Sequence, residues 1–200
     1  MFQKVHFIGI FMLCALSMQA QKQLVIEDVA NRALYPTFLS QLAFRGESDT
    51  YAYVDKDRKT LIQGSAKKAE EPLLKFEDFT AALKAAGATE MANLPAITWK
   101  DENNFTFSDD QNLWQYDINA KKASKIGNWN PLGENQDFAA NGNVAYTLEG
   151  DLYVCISKDL KIKPVTTDGE YQIVYGEAAH RSEFGITKGT FWSPAGNLLA

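Results

Sequence analysis

Beyond Ser40 the chain repeats itself. The stretches LAFRGESDTYAYVDKDRKTLIQGS, ITWKDENNFTFSDDQNLWQYDINAKKASKI and QDFAANGNVAYTLEGDLYVCISKDLKIKPVT each carry an aromatic residue (Phe44, Trp99, Phe138) followed by a polar turn. An alternating apolar strand comes next (Tyr51 to Val54, Phe105 to Phe107, Val144 to Tyr146). A tight turn then leads to a second alternating strand (Leu61-Ile62, Leu113 to Tyr116, Leu152 to Val154). Trp99 to Phe138 and Leu113 to Leu152 are both intervals of 39 residues, and TFWSPAGNLLA opens a fourth copy at Trp192. The turn of that copy, Pro194-Ala195-Gly196-Asn197, parallels Ala140-Asn141-Gly142-Asn143. Strand, turn and strand at a period near 40 is the pattern of β-propeller blades. Asn-Gly and Asp-rich turns supply the positive φ or the side-chain bonds that such connections need. A β-sandwich also spaces short strands regularly, but here whole units align, not strands alone. The expected fold is all-β: a partial propeller of about three four-stranded blades and the start of a fourth.

Two insertions break the period. FEDFTAALKAAGATEM places Phe76, Phe79, Ala82, Leu83 and Ala86 at helical spacing, with Gly87 as a natural C-cap. This predicts one short amphipathic helix, about residues 76–87, on the outside between the first two blades. The second insertion, about residues 168–190, stretches the Phe138-to-Trp192 interval to 54. Polar loops on a rigid scaffold are where binding functions gather, so this segment is the best functional candidate in the chain.

The N-terminus reads as an export signal. A lone positive charge at Lys4 precedes an apolar run from Phe7 to Leu16 and then small residues. The run is too short to span a bilayer, which takes about 20 residues. Cleavage is expected after Ser17 or Ala20, leaving residues 21–200 without a membrane span and destined for the periplasm or cell surface. Residues 24–40 have room for a short lead-in helix or an extended entry segment, ended by Pro36. Removing residues 1–20 leaves Cys155 alone, which excludes an intramolecular disulfide in the remainder. One Cys and one His, His180, make no metal site, and no cofactor motif is present. A formal charge of −5 with no basic run longer than two residues argues against a nucleic-acid partner.

The chain lacks G-x-S-x-G, a P-loop and H-E-x-x-H. It therefore shows no catalytic residues of its own. The second insertion does hold a charged set, Arg181-Ser182-Glu183. A carboxylate over a cavity accepts charge-assisted hydrogen bonds from an ammonium group; as plain surface charges the same residues would contribute little.

The segment HRSEFGITKGTFWSP, from His180 to Pro194, resembles the lead into a propeller blade in bacterial members of the dipeptidyl peptidase IV family, including the prolyl tripeptidyl peptidase branch. NLWQYDI, GDLYV and the order of the blades extend the likeness more weakly through the rest of the exported chain. The resemblance implies an exported propeller preceding a C-terminal α/β-hydrolase domain with a Ser-Asp-His triad. It implies release of N-terminal di- or tripeptides, typically after proline, from a peptide substrate whose free N-terminus is bound by a propeller glutamate. Glu183 inherits that role by its place in the motif. Mammalian members present two adjacent glutamates, whereas here Ser182 precedes Glu183. Their substrate-binding arginine lacks a counterpart around Asn103 to Asp109, and Arg181 is the residue here that could replace it. Family members often dimerise, so the resemblance is compatible with a homodimeric parent. On this reading the 200 residues are part of a longer protein whose hydrolase domain is absent here. The alternative is a non-catalytic periplasmic propeller that binds protein or glycan.

Overall fold

The structure is a computed structural model that describes residues 25–31, 35–36, 38–178 and 183–200. The export signal expected over residues 1–20 lies outside the described residues. Two compact units are present, Met1–Phe38 and Leu39–Ala200. Among its described residues the first holds a helical turn, α1 (Ile26–Ala30), with Glu27 and Asp28 at its N-terminal end, where the free N–H groups favour negative charge.

The second unit contains three four-stranded antiparallel sheets, each a simple meander. Blade 1 is β1 (Ser40–Phe44), β2 (Thr50–Val54), β3 (Thr60–Ser65) and β4 (Lys68–Lys75). Helix α2 (Phe76–Ala86) follows. Blade 2 is β5 (Thr98–Trp99), β6 (Asn104–Ser108), β7 (Asn112–Asp117) and β8 (Lys122–Asn128). Blade 3 is β9 (Glu134–Phe138), β10 (Val144–Leu148), β11 (Asp151–Ile156) and β12 (Lys161–Pro164). A fourth unit opens with Trp192 paired to Leu199, and Phe191 and Ala200 exchange backbone bonds of 2.8 and 3.0 Å. This is the partial propeller that the repeat predicts.

The turns close as their residues require. Asp101 Oδ1 accepts the N–H groups of Asn103 and Asn104 at 2.8 Å each. Asp109 does the same for Gln111 and Asn112, and its other oxygen accepts Trp114 Nε1 at 2.7 Å. Partial burial pushes the Asp101 carboxyl up, but these bonds outweigh it and hold the group below the usual carboxylate value.

Register decides which side chains meet. Phe105 lies opposite Tyr116 and Phe107 opposite Trp114, so all four share one face of blade 2. They join Ala52, Val54, Leu61 and Leu74 of blade 1 in a single core cluster. The neighbouring residue Leu113 points the other way and belongs to a second cluster with Trp129, Val144, Tyr146 and Cys155, between blades 2 and 3. Alternation along β7 thus feeds two cores, one on each face of the sheet.

Helix α2 sits on the outermost strands, β4 and β8, and ends at Gly87 with φ 73°. Its position is on the rim, as expected, yet its role is central. Phe79 is fully buried, with its ring 5.1 Å from Phe107, 5.5 Å from Tyr116 and 6.4 Å from Phe105. The helix is a plug that fills the outer end of the first interblade core.

Candidate functional site

The insertion leaves blade 3 after β12 and returns at Trp192. Its first leg is tied to the β10–β11 turn. Asp151 Oδ1 accepts Thr166 Oγ1 at 2.8 Å and the Gly169 N–H at 2.9 Å. Tyr175 N–H reaches the Gly150 carbonyl at 2.9 Å, while Glu170 and Ile173 close a small turn by two backbone bonds of 2.9 Å. The Tyr175 hydroxyl bonds Asp168, and that bond is the main cause pushing its phenol pKa up.

Next comes a crossing of two glycines. Gly176 has φ 73°, and a Cβ there would stand 2.9 Å from Leu152 Cδ1. A Cβ on Gly189 would lie 2.6 Å from the Glu177 carbonyl carbon. Only backbone without side chains fits there. The two legs therefore cross in contact where Gly189 meets Gly176 and Glu177.

The returning leg is fastened to blade 3 by Asp137 on β9. Lys188 Nζ donates to Asp137 Oδ1 at 2.7 Å and Thr190 Oγ1 to Oδ2 at 3.1 Å, while Trp192 Nε1 donates to the Asp137 carbonyl at 3.1 Å. Farther along, the Asn141 and Asn143 side-chain amides both donate to the Gly196 carbonyl, at 2.9 and 3.0 Å. The two parallel turns seen in the sequence are thus held one on the other.

Glu183 opens a single 3-10 turn, Glu183–Gly185, in which Phe184 has φ 57° and Gly185 φ 75°. Positive φ at a bulky residue is uncommon, and here it is followed directly by a second at Gly185. Phe184 and Tyr171 stand almost wholly exposed, at 92% and 98%. The Glu183 side chain and all of Arg181 lie outside the described residues. The insertion is acidic by sequence: Asp168, Glu170, Glu177 and Glu183 stand against Arg181 and Lys188. Lys188 is already engaged by Asp137.

Asp137, Asp151 and the Gly176–Gly189 crossing escape a reading of the sequence alone. Asp137 sits in an unremarkable NQDF, and its partners lie 51, 53 and 55 residues away. The alternation Lys188-x-Thr190-x-Trp192 was the one local signal that these three share a side.

Comparison with known proteins fits this arrangement. The family model for the dipeptidyl peptidase IV (DPP IV) N-terminal region matches residues 92–200, a span that includes blades 2 and 3, the insertion and the fourth hairpin. A candidate dipeptidyl aminopeptidase IV from Bacteroides ovatus superposes with a TM-score of 0.68 at 31% identity, over 82% of this chain and 22% of its own. Porphyromonas gingivalis dipeptidyl peptidase 4 superposes with a TM-score of 0.53 at 14% identity, over 90% of this chain and 27% of its own, a likeness of fold. The chain thus spans between a fifth and a third of those proteins. On the family match, with three consecutive propeller blades to support it, this chain belongs to the dipeptidyl peptidase IV N-terminal-region family.

Proposed function

We propose that this chain is the N-terminal propeller portion of an exported serine exopeptidase that releases di- or tripeptides, typically after proline, and that its insertion binds the substrate's free N-terminus. The observation that carries the reading is the insertion itself. Its two legs cross at Gly176 and Gly189, its returning leg is fastened to blade 3 through Asp137, and it carries Glu183 within the span matched by the family model. An excess of carboxylates there attracts an ammonium group, and the one described cation of the insertion, Lys188, is occupied by Asp137.

In this mechanism Glu183 does no bond chemistry. Its carboxylate accepts charge-assisted hydrogen bonds from the α-ammonium, each contributing about 1.5–3 kcal/mol. Holding the N-terminus at one point fixes which peptide bond reaches the nucleophile, so the separation acts as a ruler and the contribution is positional. Arg181 is the partner for a substrate carbonyl. A blocked N-terminus is rejected because it leaves the Glu183 carboxylate desolvated without a donor. The Ser-Asp-His triad belongs to a hydrolase domain of the whole protein. Residues 1–20 direct export to the periplasm or cell surface, and a homodimer is the proposed assembly. Among the described residues no helix is long and apolar enough to cross a membrane.

The test is to incubate the full-length protein with a proline-containing peptide, bearing either a free or an acetylated N-terminus, and identify the products by mass spectrometry. Di- or tripeptide release from the free form alone, abolished by a serine-directed fluorophosphonate, is expected. No cleavage of either form, with retention of protein or glycan ligands instead, would establish the non-catalytic propeller.

A further inference from the structure

We propose that Asp137 is the positioning residue of the insertion: from blade 3 it fixes the leg that carries Glu183, and so sets how well a free N-terminus is recognised. The inference rests on the proposed role of Glu183 as the ammonium acceptor. Three alternate residues of the returning leg, Lys188, Thr190 and Trp192, all end on this one residue. Its carboxylate accepts two of them and its backbone carbonyl the third. The Asp137 side chain is only 8% exposed, whereas that of Lys188 is 41% exposed.

Burial makes the arrangement obligatory. A carboxylate withdrawn from water needs donors, and Lys188 and Thr190 are the donors the leg supplies. Moving the leg would strand a buried charge, so the leg stays where Asp137 is. Asp137 itself is held in the sheet, paired across to Ala145, which is fully buried. A rigid strand therefore dictates the path of the chain five residues beyond Glu183. Gly189, between two of the anchored residues, adds the backbone crossing with Glu177. Lys188 also stacks its ammonium 5.1 Å from the Phe191 ring centroid, which restrains it from the other side.

A residue that merely holds the blade together would, when changed, weaken all catalysis alike. A positioning residue for the ammonium acceptor weakens only substrates that possess the ammonium. The experiment compares kcat/KM of the full-length enzyme for a peptide p-nitroanilide with a free N-terminal amine and for its des-amino analogue. Asp137→Asn keeps the shape and removes the charge. It is expected to lower kcat/KM about tenfold for the free-amine substrate, the scale of one charge-assisted bond lost, and less than about twofold for the des-amino analogue. Combined with Glu183→Gln it should add almost nothing, because both changes act through one contact.

Should Asp137→Asn fail to fold, Lys188→Met serves, since the Lys188 side chain is partly solvent-exposed; the same selective loss is expected. Parallel losses on both substrates, or no loss on the free-amine substrate while Glu183→Gln remains damaging, would overturn the positioning role and leave the Glu183 reading intact. If Glu183→Gln itself leaves the discrimination unchanged, the reading beneath falls and this inference with it.

Discussion

Phe79→Ala tests whether α2 is part of the propeller core or an ornament on its rim. The ring is fully buried and meets three aromatic residues of blade 2, at 5.1 Å to Phe107 (edge-on), 5.5 Å to Tyr116 and 6.4 Å to Phe105. Truncating a buried phenylalanine costs about 3–5 kcal/mol in lost transfer energy and residual cavity. Aromatic pairs contribute about 0.5–1.5 kcal/mol beyond area, and sheet strands cannot collapse far into the void, so about 4 kcal/mol is expected. Whole-protein melting would blur this loss across several cooperative units. Native-state hydrogen exchange reads it locally. The amides of Phe107 and Tyr116 should exchange about a thousandfold faster, while those of Val144 and Tyr146, in the second core cluster, change less than tenfold. An equal acceleration in both clusters, or less than tenfold at Phe107 and Tyr116, would show that α2 is not part of the first core.

Gly189→Ala drives a Cβ against the Glu177 carbonyl, where overpacking costs about 1–3 kcal/mol. Exchange of the Thr190 and Trp192 amides should accelerate while blade 2 amides stay unchanged. Burial first, then the charges of Asp78 and Asp117, pushes the Tyr116 phenol up to about 12. A group raised in the folded state contributes stability that is complete below its unfolded value, about 10, and disappears as pH climbs through the folded one. Absorbance at the phenolate band should show Tyr116 ionising last and together with loss of structure; Tyr116→Phe should flatten that alkaline decline.

Sequence pattern alone reveals the inner strands because burial in the interblade cores forces apolar residues onto them, alternating as at Phe105 and Phe107 or consecutive as at Ala52 to Val54. Tyr51 to Val54, Phe105 to Phe107 and Val144 to Tyr146 each fall within the observed β2, β6 and β10. The outermost strands are far less legible. KAEEPLLK of β4 and KIKP of β12 face solvent along most of their length, so nothing forces alternation, and each contains a proline of the kind edge strands tolerate. The helix is legible through its 3.6 period and Gly87, but periodicity cannot say that Phe79 enters the core of a sheet two strands away. The proposed site divides in the same way. Glu183 emerges from a motif shared with a family, a matter of local sequence. Its support emerges only in three dimensions, because Asp137 acts on residues more than 50 positions later.

The most direct measurement of the central claim is kcat/KM for Glu183→Gln in the full-length enzyme, on a peptide substrate with a free N-terminus. A loss of about 2–3 kcal/mol in transition-state stabilisation, about 30- to 150-fold, is expected, with the des-amino analogue unaffected. Unchanged kcat/KM would contradict it and remove Glu183 from the site.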